Sequence, residues 1–179
     1  MKTLNVLHAL DIRMLLWSSS HRDRFRLEYS ARCLSRSGDG YLQVALPCCA
    51  WLYGGDDARV LATLFVWAFA VERTLYFVLK NSLKRRRPPE CVPDYKSLVL
   101  PSDKFSFPSG HTSAAFLFAA LNYAVAPTVG MFLFAWAGGV GLSRVVLGVH
   151  FPSDIVAGAA LGLAVAAAVS VLPLSIPGS

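Results

Sequence analysis

Residues 127–147 read PTVGMFLFAWAGGVGLSRVVL, and residues 154–172 read DIVAGAALGLAVAAAVSVL. Each matches the roughly 20 apolar residues that a helix needs to cross a bilayer core. Only GVHFPS, at residues 148–153, stands between them. So short a link keeps both neighbouring ends at one membrane face, which makes the two segments an antiparallel pair. In hydrocarbon every backbone N–H and C=O must be paired within the chain, and for runs of this length that means α-helix.

Three more apolar segments precede this pair, at residues 41–53, 58–79 and 111–126. The middle one is long enough to span; the other two are short, and each gains a turn from its flanks or runs through a thinned bilayer. The expected fold is all-α: a multi-pass transmembrane helical bundle of five to six spans, one domain over residues 1–179 with no internal repeat. The bundle takes residues 39–175. Residues 1–38 alternate Leu, Ile, Met and Trp with Asp, Arg and His, the pattern of an amphipathic helix lying in the interface. Asp11 and Arg13 interrupt its apolar run, and no small-residue cleavage site follows, so it does not read as a signal peptide. A sixth crossing hidden there would reverse the N-terminus relative to the rest. Gly158 and Gly162, four apart among alanines, and the cluster Gly138, Gly139 and Gly141 let backbones approach, which places the last two spans inside the bundle.

Composition agrees: 55% of the residues are hydrophobic and the mean hydropathy is +0.49, more apolar than soluble domains. The net charge of +6 sits before Gly40 and between Lys80 and Lys104, outside the apolar runs. It suits an anionic membrane surface or substrate rather than nucleic acid. Cys33, Cys48, Cys49 and Cys91 show no CxxC spacing, so they suggest neither zinc nor a disulfide framework.

Three polar clusters break the apolar pattern: KNSLKRRRP at 80–88, PSGH at 108–111 and SRVVLGVHFPSD at 143–154. The first ends span two, the second opens span three and the third joins spans four and five. Counting crossings puts all three on one face. Ionisable groups at a membrane edge are expensive and need a partner. Lys80, Arg87 and Arg144 supply cations, and an arginine fork holds two oxygens of a phosphate at once. Ser109 and Gly110 stand where a helix begins, so their backbone N–H groups would add donors for an anion. His150 and Asp154 lie four apart across Pro152, so the carboxylate can turn back to hold one ring nitrogen and leave the other as a nucleophile. His111 is placed to protonate a departing oxygen and then to activate water. No DxD, HExxH or Cys/His cluster is present, so no metal or other cofactor is expected and protein cations take the metal's place.

Together the clusters resemble the signature of the type 2 phosphatidic acid phosphatase superfamily. That signature is Lys, six residues, Arg-Pro; then Pro-Ser-Gly-His; then Ser-Arg, five residues, His, three residues, Asp. Here Lys80, Arg87 and Pro88, then Pro108 to His111, then Ser143, Arg144, His150 and Asp154 fill it completely. The resemblance covers about the last two thirds of the chain. It implies His150 as nucleophile, Asp154 as its orienter, His111 as acid/base, and Lys80, Arg87, Ser109, Gly110 and Arg144 as phosphate binders, with Ser143 supporting the turn. It also implies a lipid phosphate or diphosphate substrate, a phosphohistidine intermediate and an integral membrane protein of the bacterial cell-membrane type.

Rival readings are a non-catalytic membrane anion- or lipid-binding protein or transporter, a phosphatase of a soluble monoester, and vanadium-dependent halide oxidation. Lys84, Arg85 and Arg86 read as a solvated surface patch, and His8 and His21 as surface residues. Trp17, Trp51 and Trp67 read as interfacial anchors. Asp94 and Asp103 lie in the polar loop without ligand spacing.

Overall fold

A computed structural model describes residues 2–21, 25–101 and 103–171. They form eight helices: α1 (Lys2–His21), α2 (Phe25–Ser37), α3 (Tyr41–Tyr53), α4 (Asp56–Leu83), α5 (Pro88–Cys91), α6 (Gly110–Val125), α7 (Pro127–Val146) and α8 (Pro152–Ser170). No strand occurs among the described residues. Pro88, Pro127 and Pro152 each open a helix, at the one position where a missing N–H is harmless.

Helix α6 is the hub, with α7 on one side and α8 on the other. Phe65 and Ala68 of α4 pack with Leu117, Phe118 and Leu121 of α6 and Val165, Ala166 and Val169 of α8. Ala115 and Ala119 of α6 meet Ala137 and Val140 of α7, with Leu34 of α2 against them. The expected role of the small residues holds for α8: a Cβ on Gly162 would lie 2.3 Å from the Ser113 carbonyl oxygen, and one on Gly158 2.5 Å from that of Ser109. The backbones of α6 and α8 therefore touch, and motif residues at their facing ends are held in register.

The outside is apolar too. Val44, Trp51, Val66, Trp67, Phe77, Met131, Phe132 and Val156 are exposed, as lipid-facing surfaces are. Among the described residues, three helices are long and apolar enough to cross a membrane: α4 with the short α5 after it, α7 and α8. At 13 and 16 residues, α3 and α6 reach about 20 and 24 Å, short of a full hydrocarbon core.

Residues before Gly38 form two helices rather than one. Helix α1 buries Asp11 and Leu15, and Leu15 packs with Tyr95, Val145 and Phe151. Helix α2 lies along α7. The segment thus docks onto the motif-bearing end of the bundle, because Asp11 finds cationic and hydroxyl partners there that its own neighbourhood in sequence does not reveal. His21 falls among residues whose side chains lie outside the described set.

Candidate active site

The fold brings the three motif clusters to one place. Lys80 projects from the C-terminal turn of α4, and Arg87 from the residue capping α5. Gly110 and His111 open α6, Arg144 lies in the last turn of α7, His150 is on the link and Asp154 is in the first turn of α8. Lys80, Arg87, Gly110, His111, Arg144 and His150 all line one cavity of about 490 Å³. From this polar end the cavity continues between α3, α4 and α6, where Val44, Pro47, Cys48, Phe65, Val66, Phe69 and Ala114 line it. A second cavity, of about 470 Å³, backs onto the first. It shares Asp39, His111 and Arg144 and is otherwise lined by Arg32, Ser35, Arg36 and loop residues.

His150 is 2% exposed, and its Nδ1 lies 3.5 Å from Asp154 Oδ2. That is ion-pair reach rather than a formed hydrogen bond, and such contacts tighten when a substrate binds. Asp154 is held from several sides: Oδ2 accepts the Phe151 N–H at 2.8 Å, and Oδ1 accepts from Arg85 Nη1 at 2.7 Å. Phe151 is the N-cap of α8, and the Asp154 N–H in turn donates to the Phe151 carbonyl at 3.0 Å, so the turn that starts the helix also aims the carboxylate. Burial pushes the His150 imidazole down to about 4, further than Asp154 lifts it. At neutral pH the ring keeps its lone pair, the form a nucleophile needs.

This shift has a consequence for stability. An unfolded histidine binds its proton near 6.5, whereas His150 in the fold does so only near 4. Between those values the unfolded chain carries the extra proton, so stability falls as pH drops from about 6.5 to about 4. Asp103 acts in the same direction lower down: burial raises its carboxyl, but bonds from Lys80 and Tyr76 override this and hold it at about 2. The melting temperature in detergent is expected to decline through the upper window, and His150→Gln to flatten that decline.

The cations are arranged for oxygen anions. Lys80 Nζ sits 2.7 Å from Asp103 Oδ2 and 2.7 Å from the Tyr76 hydroxyl, which itself donates to Asp103 Oδ2 at 2.6 Å. Arg87 pairs with the other Asp103 oxygen, donates from Nε to the Asp103 carbonyl at 3.0 Å, and donates from Nη1 to the Val149 carbonyl at 2.5 Å. One carboxylate thus receives Lys80 and Arg87 together, which demonstrates that the two cations converge on the oxygens of a single anion. Arg144 is anchored by Nη1 on Ser35 Oγ at 2.7 Å, while its Nε is buried without a hydrogen bond.

Ser109 departs from expectation. Its N–H donates to the Asp154 carbonyl at 3.0 Å, its hydroxyl accepts from Thr112, and it is fully buried. Its backbone donor is therefore committed to tying α6 to α8. The donors left for an anion are those of the first helical turn, beginning at Gly110. Gly110 lies so close to Tyr76 that a Cβ would come within 2.9 Å of the ring. Ser143 bonds the Val140 carbonyl within its own helix.

Arg85 overturns its reading as part of a solvated patch. It bridges Asp154 and Asp11, each at 2.7 Å, donates to Ser153 Oγ, and lies over the Phe151 ring at 4.3 Å. Asp11 arrives from α1, and no spacing rule links it to residue 85. Lys84 and Arg86 are exposed. His8 is exposed, as expected, and its ring meets Phe151 edge-on at 5.9 Å. Asp39, Arg73, Tyr76 and Asp103 also line the cavity; Asp103 reads in sequence only as a loop residue without ligand spacing, and the other three carry no expectation there. Arg73 and the fully buried Glu72 form a close pair that also engages Ser113 and the Gly110 carbonyl. The available signal was Glu72-Arg73 in the middle of an apolar run.

Comparison with known proteins gives a consistent picture. Phosphatidylglycerophosphatase B of Bacillus subtilis is 37% identical over 111 residues, 56% of this chain and 52% of that protein. The bacitracin transport permease protein BcrC of Bacillus licheniformis is 31% identical over 113 residues, 63% of this chain and 56% of the relative. The chain thus spans about half the length of these two relatives. It matches 86% of the decaprenylphosphoryl-5-phosphoribose phosphatase of Mycobacterium tuberculosis, at 31% identity over 87% of its own length. The crystal structure of the transmembrane phosphatidylglycerolphosphate phosphatase from Bacillus subtilis superposes with a TM-score of 0.76 at 27% identity, covering 93% of this chain and 85% of that one. The structure of Aquifex aeolicus LpxE gives 0.77 at 25% identity, covering 90% and 94%. The sequence profile of the PAP2 superfamily matches residues 61–175, a stretch that holds every motif position from Lys80 to Asp154, and the chain belongs to that superfamily.

Proposed function

We propose that the protein is a membrane lipid phosphatase that acts through a phosphohistidine on His150, with Lys80, Arg87, Arg144 and the opening turn of α6 holding the phosphoryl group. One observation carries this reading: the cavity that gathers both histidines and the three cations runs without interruption into an apolar arm between α3, α4 and α6. A phosphate at the polar end would place an acyl or prenyl chain in that arm.

In the first step His150 Nε2 attacks phosphorus, the P–O bond breaks, and the leaving oxygen takes a proton from His111. In the second, His111 removes a proton from water, the oxygen attacks phosphorus, and the P–N bond breaks to release phosphate. Asp154 orients His150 throughout. The guanidinium and ammonium groups neutralise charge on the transferring oxygens, the role a metal fills in many phosphoryl-transfer enzymes.

The substrate class is a prenyl or glycerolipid phosphate or diphosphate, in line with relatives named for phosphatidylglycerophosphate and for a decaprenylphosphoryl sugar phosphate. We further propose five or six spans in a bacterial cell membrane, with α3 and α6 completing the crossing set and α1 and α2 at the interface beside the site. The test is phosphate release by the detergent-purified protein from undecaprenyl diphosphate, phosphatidylglycerol phosphate, phosphatidate and a short soluble monoester, with a chelator present. Activity on at least one lipid, surviving chelation, is expected. Activity confined to the soluble ester, or none without added metal, would overturn the proposal.

A further inference from the structure

We propose that Asp39 is a positioning residue for His111, giving the site a second carboxylate–imidazole pair beside Asp154–His150. The inference rests on His111 being the acid/base of the reaction above. Asp39 Oδ1 lies 2.9 Å from His111 Nε2, and among the described residues this is its one ion pair. With Nε2 held, Nδ1 is the nitrogen left to exchange a proton with a substrate oxygen. Arg144 and Arg73, which line the same cavity, are the cations whose charge acts on this imidazole. Asp39 is the anion that favours the protonated ring between them, and a leaving oxygen is protonated only by that form.

The segment that delivers Asp39 is fixed at several points. The Asp39 N–H bonds the Arg36 carbonyl at 3.1 Å and the Gly38 N–H the Ser35 carbonyl at 3.0 Å, which closes the end of α2. Gly38 sits against α7 so tightly that a Cβ would come 2.7 Å from Val140 Cγ1. Trp136 Nε1 donates to Ser37 Oγ at 2.9 Å, and Ser35 Oγ takes Arg144 Nη1 at 2.7 Å. The turn carrying the carboxylate is therefore pinned to α7, the helix that also carries Arg144. Asp39 lies outside the stretch that matches the family, residues 61–175, so the motif does not assign it.

The test exploits leaving-group chemistry. An alkyl oxygen must be protonated as it departs; a nitrophenolate need not be. The purified protein and its Asp39→Asn, Asp39→Glu and His111→Asn variants are compared on a lipid alkyl phosphate and on an alkyl-substituted nitrophenyl phosphate whose chain can fill the apolar arm. Asp39→Asn is expected to lower kcat on the alkyl ester by about 10- to 100-fold, a share of the ~10² to 10⁴ that acid–base catalysis supplies. KM and single-turnover nitrophenol release should hardly change. His111→Asn should show the same selectivity more strongly, and Asp39→Glu should recover part of the loss. If Asp39→Asn slows both esters equally, or changes neither, the pairing is without catalytic consequence and the inference fails. If His111→Asn itself shows no leaving-group selectivity, the fault lies instead with the acid/base reading. Melting temperatures measured alongside identify a misfolded variant, in which case Asp39→Glu decides through its own leaving-group selectivity.

Discussion

Replacing His150 with alanine is expected to lower phosphate release by about 10⁴-fold or more, the scale on which loss of a covalent nucleophile is felt. No other imidazole can substitute, because His111 is committed to Asp39 and comes from another helix. The groups proposed to hold the phosphate stay in place: Lys80 and Arg87 are fixed by Asp103, and Arg144 by Ser35. Competitive inhibition by inorganic phosphate should therefore survive the substitution, and alkaline quenching, which preserves a phosphohistidine in the unaltered protein, should recover no phosphoenzyme. Retained turnover in His150→Ala would remove the covalent mechanism. Lost phosphate affinity would mean that the variant had disturbed the cradle as well.

The largest expected effect on stability comes from Arg85. Its guanidinium stands between two carboxylates, Asp11 and Asp154, whose side chains are 6% and 0% exposed. Removing one partner of a buried ion pair leaves a desolvated charge behind and costs about 3 to 5 kcal/mol. Arg85→Ala is expected to sit near that range, since here two carboxylates lose their common cation while Asp154 keeps the Phe151 N–H and Asp11 keeps Ser153. The measurement is denaturant or thermal unfolding in detergent. Asp11→Asn in the same background should recover part of the loss, because contacting residues couple non-additively. Unchanged stability in Arg85→Ala would mean that the bridge is solvated and weak.

The chemistry was more legible in sequence than the architecture that supports it. The catalytic and cationic motif positions are charged or imidazole groups near the ends of apolar runs, where their cost makes them conspicuous. All six of the cavity-lining motif residues do meet. What the sequence concealed were the partners. Asp39 and Asp103 sit in polar segments where an acidic residue is unremarkable, Asp11 in an amphipathic one where it reads as part of the polar face, and only the three-dimensional path brings each to a cation or imidazole. The Ser109 backbone went unread for a different reason: a helix-start position promises a free N–H, but the closeness of α6 and α8, set by Gly158 and Gly162, lets that N–H donate to the Asp154 carbonyl. The short α3 and α6 show that composition finds apolar helices more surely than it decides which of them cross.

Two hollows meet at His111 and Arg144, one oily and running between helices, the other ringed by arginines. A reaction at their junction would hand its two products to different phases, the lipid alcohol sliding back into hydrocarbon while the freed inorganic ion departs through the basic side toward water. Neither product then blocks the other's departure, and recombination is suppressed by partition alone.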